Sequence, residues 1–173
     1  MPQHMEHALV SLARRAILHY LTTGEHLEST DELSIAWQTP AGAFVSLTRH
    51  GELRGCIGTC VATQLSLIQE IIQNAVAAAT ADPRFPPITL DDVGEMDISV
   101  DVLASPEKVE GVDQLDPKRY GVIVRANERR GVLLPDIAQV TTVEVQVAIA
   151  RRKAGIGPDE LVEIYRFEVT RYH

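Results

Sequence analysis

The sequence predicts an α+β domain made mainly of antiparallel sheet. Two observations point to sheet: β-forming segments flank turn signals at 43–48/53–59 and again at 120–125/131–134, and each pair reads as a hairpin. A third observation sets the class. Only three longer segments carry apolar residues at helical spacing, so strands and helices do not alternate as in a doubly wound sheet. The 173 residues are the length of one domain, 1–173, and are enough to bury a core without disulfides or metals.

The first helix is expected over about 5–23. Leu9, Leu12, Ala13, Ala16, Ile17, Tyr20 and Leu21 share a face, Arg14, Arg15 and His19 share the other, and Gly24 supplies the stop. A polar stretch, 24–31, leads through 32–37 to the turn signal Pro40-Ala41-Gly42. Phe44, Val45, Leu47 and Thr48 make 43–48 a strand. The turn 49–52 returns the chain over 53–59, a strand interrupted by Gly55 and Gly58. A second helix, 65–81, shows an apolar face of Leu65, Ile68, Ile72, Ala75, Val76 and Ala79, and its alanines let another element approach closely. The prolines of Asp82-Pro83-Arg84-Phe85-Pro86-Pro87 end it.

Segment 96–103 alternates, with Ile98, Val100 and Val102 on one face and Ser99 and Asp101 on the other, as in a half-buried strand. The second hairpin turns over 126–130. A third helix, 141–154, starts with Thr141 and Glu144 at capping-box spacing and stops at Gly155. The last segment, 164–170, reads as one strand. No internal repeat is visible in the residues, and no P-loop or dinucleotide glycine turn is present.

Charge and composition exclude several classes. There are 16 basic and 24 acidic residues, a net charge of −8, which repels a phosphate backbone and speaks against nucleic acid as a partner. The start of the chain has no basic segment followed by an apolar core, and no apolar run approaches membrane-spanning length. No membrane partner is expected. Two cysteines close together make no disulfide framework, and the natural setting is a reduced cytoplasm.

The most suspicious chemical feature is Leu53-Arg54-Gly55-Cys56-Ile57-Gly58. A thiol needs access and a nearby cation to act as a nucleophile or redox group. Gly55 and Gly58 clear space beside Cys56 for a substrate or another backbone, and Arg54 and Arg84 are the cations that could assist. The opposing reading makes Cys56 a small buried hydrophobe and the glycines a packing solution. Arg84 could hold a carboxylate or phosphate from its proline-flanked loop, and Phe85 reads as a core plug. Cys60 lies four residues from Cys56, about 13 Å along an extended chain, too far for a disulfide or a shared metal. His4, His7, His19, His26, His50 and His173 show no metal-ligand spacing, and His50 should lie on the order of 10–15 Å from Cys56. No cofactor or metal is expected. Arg151-Arg152-Lys153 reads as a solvated last helical turn that complements the helix dipole.

The string Leu53–Thr59 resembles the signature of the AMMECR-type domain family, whose bacterial and archaeal members include protein A of the AmmeMemoRadiSam system. The likeness continues in Gly42-Ala43-Phe44-Val45, in Asp82–Pro87, and in Gly121–Val124 with Gly131–Pro135. Arg151–Gly155 and Ile164–Val169 extend it to the last strand. The resemblance implies two lobes of mainly antiparallel sheet with flanking helices, the cysteine motif facing a cleft. As partners it implies a Memo-like protein related to extradiol dioxygenases and a radical SAM protein. It implies no particular reaction.

Two functions follow. In the first, an enzyme or accessory catalyst uses Cys56 as nucleophile or redox thiol in the inter-lobe cleft. Arg54 stabilises a thiolate or anion there, while Arg84, Gly55, Gly58 and Thr59 bind a small anionic substrate. In the second, the domain is a non-catalytic module that binds a ligand or one of the two partner proteins. The residues show no evident general base near Cys56, which weakens the first.

Overall fold

The structure, a computed structural model, describes residues 5–29 and 33–173. His4 and the end of the polar stretch, 30–32, lie outside the described residues. The fold is α+β, with two antiparallel four-stranded sheets and four α-helices among the described residues. The chain divides into two compact units, Met1–Val102 with Arg171–His173, and Leu103–Thr170.

In the first unit, α1 (Ala8–Thr23) begins where His7 Nδ1 accepts from the Leu9 N–H at 3.2 Å and ends at Gly24, whose φ of +76° suits glycine. Leu9, Leu12, Ala13, Ala16 and Ile17 are buried, as their spacing requires, and α1 packs on α2 (Leu67–Thr80). Each fully buried Leu or Ile contributes about 1.5–3 kcal/mol. Strands β1 (Ala43–Arg49) and β2 (Glu52–Thr59) form the expected hairpin. His50 and Gly51 both have positive φ at its tip, as a tight primed turn demands. Ser66 caps α2 by accepting from the Gln69 N–H. The short α3 (Leu90–Val93) follows, then β3 (Asp97–Leu103), antiparallel to β1. The sheet order is β2-β1-β3-β8, with β8 at Val169–Tyr172.

In the second unit, β4 (Glu107–Val109), β5 (Gly121–Ala126), β6 (Arg129–Leu133) and β7 (Glu163–Phe167) form the order β4-β7-β5-β6. Helix α4 (Val143–Lys153) packs over the β5–β6 hairpin. The core there is Val109, Leu115, Val122, Val124, Leu133, Val140, Ala150 and Ile156.

The two units share an order of elements that the residues do not display as a repeat. Each has a hairpin, a helix laid over it, and a third strand paired to the far side of the first hairpin strand: β1-β2-α2-β3 and β5-β6-α4-β7.

Several expectations are corrected. The terminal strand is two strands, β7 and β8, which join different sheets and part at Glu168. Asp101 is not on a solvated face: it is buried, and Arg171 pairs with it bidentately at 2.7 and 2.8 Å. The α4 cap is Thr142, not Thr141; its hydroxyl accepts from the Val145 N–H. Elements α3 and β4 are too short to produce periodicity. Helix α3 is held instead by Asp92, which accepts from the Thr89 N–H and hydroxyl.

Candidate functional site

Strand β2 lies at one end of its sheet order, so alternate backbone groups point away from β1. The two outward groups of Cys56 are both paired. Its N–H donates to Asp82 Oδ2 at 3.0 Å, and its carbonyl accepts from Arg84 Nη2 at 3.3 Å. Asp82 and Arg84 thus close over the strand edge like a two-residue clasp. Their side chains also hold one another. Arg84 Nε donates to Asp82 Oδ1 at 3.0 Å, Arg84 Nη2 donates to Oδ2 at 2.8 Å, and the Arg84 N–H adds a bond to Oδ1.

Asp82 is buried while the Arg84 side chain is 57% exposed. The Arg84 hydrogen bonds, then the Cys56 N–H, hold the Asp82 carboxyl well below the usual carboxylate range against the opposing effect of burial. In return the hydrogen bonds and charge of Asp82 keep Arg84 more firmly protonated, against the effect of burial. The Arg84 guanidinium also lies over the Phe85 ring, 5.3 Å from its centroid. Phe85 is half-buried and is not in the core; Ile88, just after the prolines, is the apolar residue that is buried there, which corrects the expected plug.

Cys56 itself is half-buried, and the Ser46 hydroxyl donates to its Sγ at 3.2 Å. The pairing depends on a bulge. The register runs Leu47↔Gly55 and then Thr48↔Leu53, which leaves Arg54 without a partner residue on β1. Counting back from the turn would place Ser46 opposite Gly55. The extra residue moves Cys56 there instead, so Ser46 could not be found from the residues alone.

The glycines flanking the thiol are both filled by the protein. A Cβ on Gly55 would overlap the Ala78 carbonyl of α2, and one on Gly58 would overlap the Phe44 ring across the strand pair. Thr59 faces inward. Its hydroxyl donates to Glu70 and accepts from Asn74 Nδ2 at 3.2 Å. Glu70 is buried, and it also accepts from the Thr63 hydroxyl and from the Thr63 and Gln64 N–H groups. Burial pushes its carboxyl up, and these donors outweigh that and lower it. The network pins the loop after β2 to α2. Sequence reading did not single out Glu70, because an interior carboxylate in a helix carries no distinctive spacing.

Arg54, half-buried at the bulge, contributes to lowering the Asp92 carboxyl, behind the Thr89 hydrogen bonds and Arg49. Arg84 is therefore the arginine tied to Cys56 by a hydrogen bond. The two cysteines are thiols, not a disulfide. Among the described residues, no group of three or more His, Cys, Asp and Glu side chains is arranged to hold a metal, and no helix is long and apolar enough to cross a membrane.

Two hairpin–helix units, one carrying a clasped Gly-Cys-Ile-Gly edge strand, define an α+β domain with a thiol set against a fixed arginine. A model of the AMMECR1 family matches residues 10–172, and the chain belongs to that family. A protein of Thermotoga maritima is 49% identical over 170 residues, covering 96% of this chain and 98% of its own. A Clostridium acetobutylicum protein is 44% identical over 168 residues, covering 94% of this chain and 35% of its own longer one. The crystal structure of uncharacterized protein PH0010 from Pyrococcus horikoshii matches with a TM-score of 0.81 at 34% identity, over 94% of this chain and 88% of that one.

Proposed function

We propose that this AMMECR1-family domain is a thiol-dependent enzyme or accessory catalyst acting on a small anionic substrate, with Cys56 as the reacting group and Arg84 holding the anion. The observation that carries the reading is the Asp82–Arg84 clasp. It fixes an exposed guanidinium on the backbone of the residue that bears the thiol. Arg84 spends Nε and Nη2 on Asp82 and Cys56, and among the described residues Nη1 has no protein acceptor. That leaves a donor for a carboxylate or phosphate on a guanidinium bonded to the backbone of the thiol residue. Arg54 is the weaker candidate for this role, since its charge acts on Asp92.

The test compares alkylation by anionic iodoacetate and neutral iodoacetamide in a Cys60→Ser background. In each, the sulfur forms a bond to the reagent methylene carbon and iodide leaves. The iodoacetate/iodoacetamide rate ratio should exceed that of a cysteine peptide and fall about fivefold in Arg84→Gln, the effect of one nearby charge. Equal ratios in the two folded proteins would remove Arg84 from the site.

A second reading has its own support. Among the described residues, no His, Asp or Glu side chain hydrogen-bonds Cys56 Sγ, so no general base is in contact with it. This favours a non-catalytic module that binds a ligand, or the Memo-like and radical SAM partners that the resemblance implies. Binding of purified partners by Cys56→Ala as tightly as by wild type would favour the module, and loss of binding would return weight to the thiol.

A further inference from the structure

The second unit holds a cavity of about 280 Å³ whose polar lining is Ser105, Glu107, Arg119, Tyr120, Arg166 and Glu168. We propose that it is a binding site for a small zwitterion of the free α-amino acid type.

The lining is ordered by an aromatic ring. The Arg119 and Arg166 guanidinium carbons lie 4.9 and 4.4 Å from the Tyr120 centroid, so one ring orients two cations. Arg166 is fixed further by donating to the Gln114 carbonyl at 2.7 Å and to Glu107 Oε2 at 3.3 Å. Tyr120 is anchored from behind, its carbonyl accepting from buried Gln146 Nε2 at 2.8 Å. Tyr120 and Arg166, at the middle of the lining, are therefore fixed by bonds of their own, as a ligand site requires.

The unspent hydrogen-bonding capacity indicates the ligand. Arg119 Nε donates to Glu168 Oε1 at 3.0 Å and Nη2 lies 3.0 Å from the same oxygen as an ion pair, which leaves Arg119 Nη1 and Glu168 Oε2 without protein partners among the described residues. Arg166 Nη2 and Glu107 Oε1 are likewise unspent, and so is the Ser105 hydroxyl. Two guanidinium donors and two carboxylate acceptors line one small space, with no net charge among the four. A pure anion or a pure cation would satisfy half of these groups and face like charge from the rest. A carboxylate and an ammonium on one carbon satisfy both halves, and the volume admits a molecule of that size.

The test is an amide-shift titration of the full chain with the common L-α-amino acids, each up to about 10 mM. At least one should shift the backbone amides of 104–107, 119–120 and 166–168. Its N-acetyl derivative, which lacks the ammonium, and its carboxamide, which lacks the carboxylate, should each bind about tenfold more weakly or worse. Folded Arg166→Gln should show the same loss, and a melting curve should establish that it is folded. If the N-acetyl form binds as tightly as the free amino acid, the site takes simple anions; if the carboxamide does, it takes cations. Either result overturns the proposal, as does the absence of any shift in these amides. The two derivatives test it in wild type even if the variant does not fold.

Discussion

The edge strands β2 and β6 solve the same packing problem with different chemistry beside it. In each unit a helix lies over a hairpin, and a glycine on the edge strand takes the close approach. A Cβ on Gly55 would overlap the Ala78 carbonyl of α2, and one on Gly131 would overlap the Ala150 carbonyl of α4. In each, the next residue has its outward carbonyl capped by a cation from beyond or at the end of that helix. Arg84 caps Cys56, and Lys153 caps Val132 at 2.8 Å. Each unit also lays a phenylalanine from a paired strand over a second glycine, Phe44 over Gly58 and Phe167 over Gly121. Glycines beside an edge strand, and a cation on its carbonyl, are therefore how this chain seats a helix on a hairpin. What the first unit adds is a thiol where the second has Val132, and a buried carboxylate, Asp82, on the thiol residue's N–H.

The comparison is broken most severely at the helix-facing glycines. Gly55→Val and Gly131→Val should each destabilise by about 3 kcal/mol or more, because the obstacle is helix backbone that cannot rotate away. Urea unfolding checks this, and a tolerated Gly55→Val would show that the two glycines are not equivalent. Gly58→Val should cost less, about 1–3 kcal/mol, since the Phe44 ring can move. Thr48→Val on the neighbouring strand should stay within about 0.5 kcal/mol, and similar values for the two would make the second glycine incidental.

The caps sharpen the contrast. Lys153→Ala removes one exposed hydrogen bond and should cost at most about 1 kcal/mol. Asp82→Asn should do something that no change at Lys153 can. A carboxyl whose folded pKa lies below its unfolded value adds stability above the ordinary Asp range, and that stability is lost as pH falls through the folded value. The stability gap between wild type and Asp82→Asn should therefore be full near pH 6 and shrink below about pH 4. Unfolding midpoints across that range test it, and a gap independent of pH would contradict the assignment of the shift to the clasp.

Much of this was legible in the residues, and the failures have physical causes. Long periodic segments give the helices, Gly24 and Gly155 mark two of their ends, and the turn at 49–52 gives the first hairpin. The signature at 53–58 reads as a strand, and the proline-flanked loop at 82–87 reads as a place where Arg84 could be positioned. The clasp was not legible, because it joins residues 26 and 28 positions apart in the chain through backbone groups. Nor was the Ser46–Cys56 contact, because one bulged residue changes which side chains face each other. The paired units were hidden because they share an order of elements and two packing devices, with little residue pattern beyond glycine. Glu168, where the last segment changes sheets, sits in an unbroken alternation that reads as one strand.

The proposal requires that Gly55 be present for packing and that the Cys56 thiol not be. The most direct measurement is the urea unfolding of Cys56→Val, which installs on β2 the residue that Val132 already provides on β6. The thiol makes no hydrogen bond that holds the clasp, since Asp82 and Arg84 engage its backbone. The account predicts stability within about 1 kcal/mol of wild type, far from the loss expected for Gly55→Val. A Cys56→Val protein as unstable as Gly55→Val would show instead that the thiol is part of the packing.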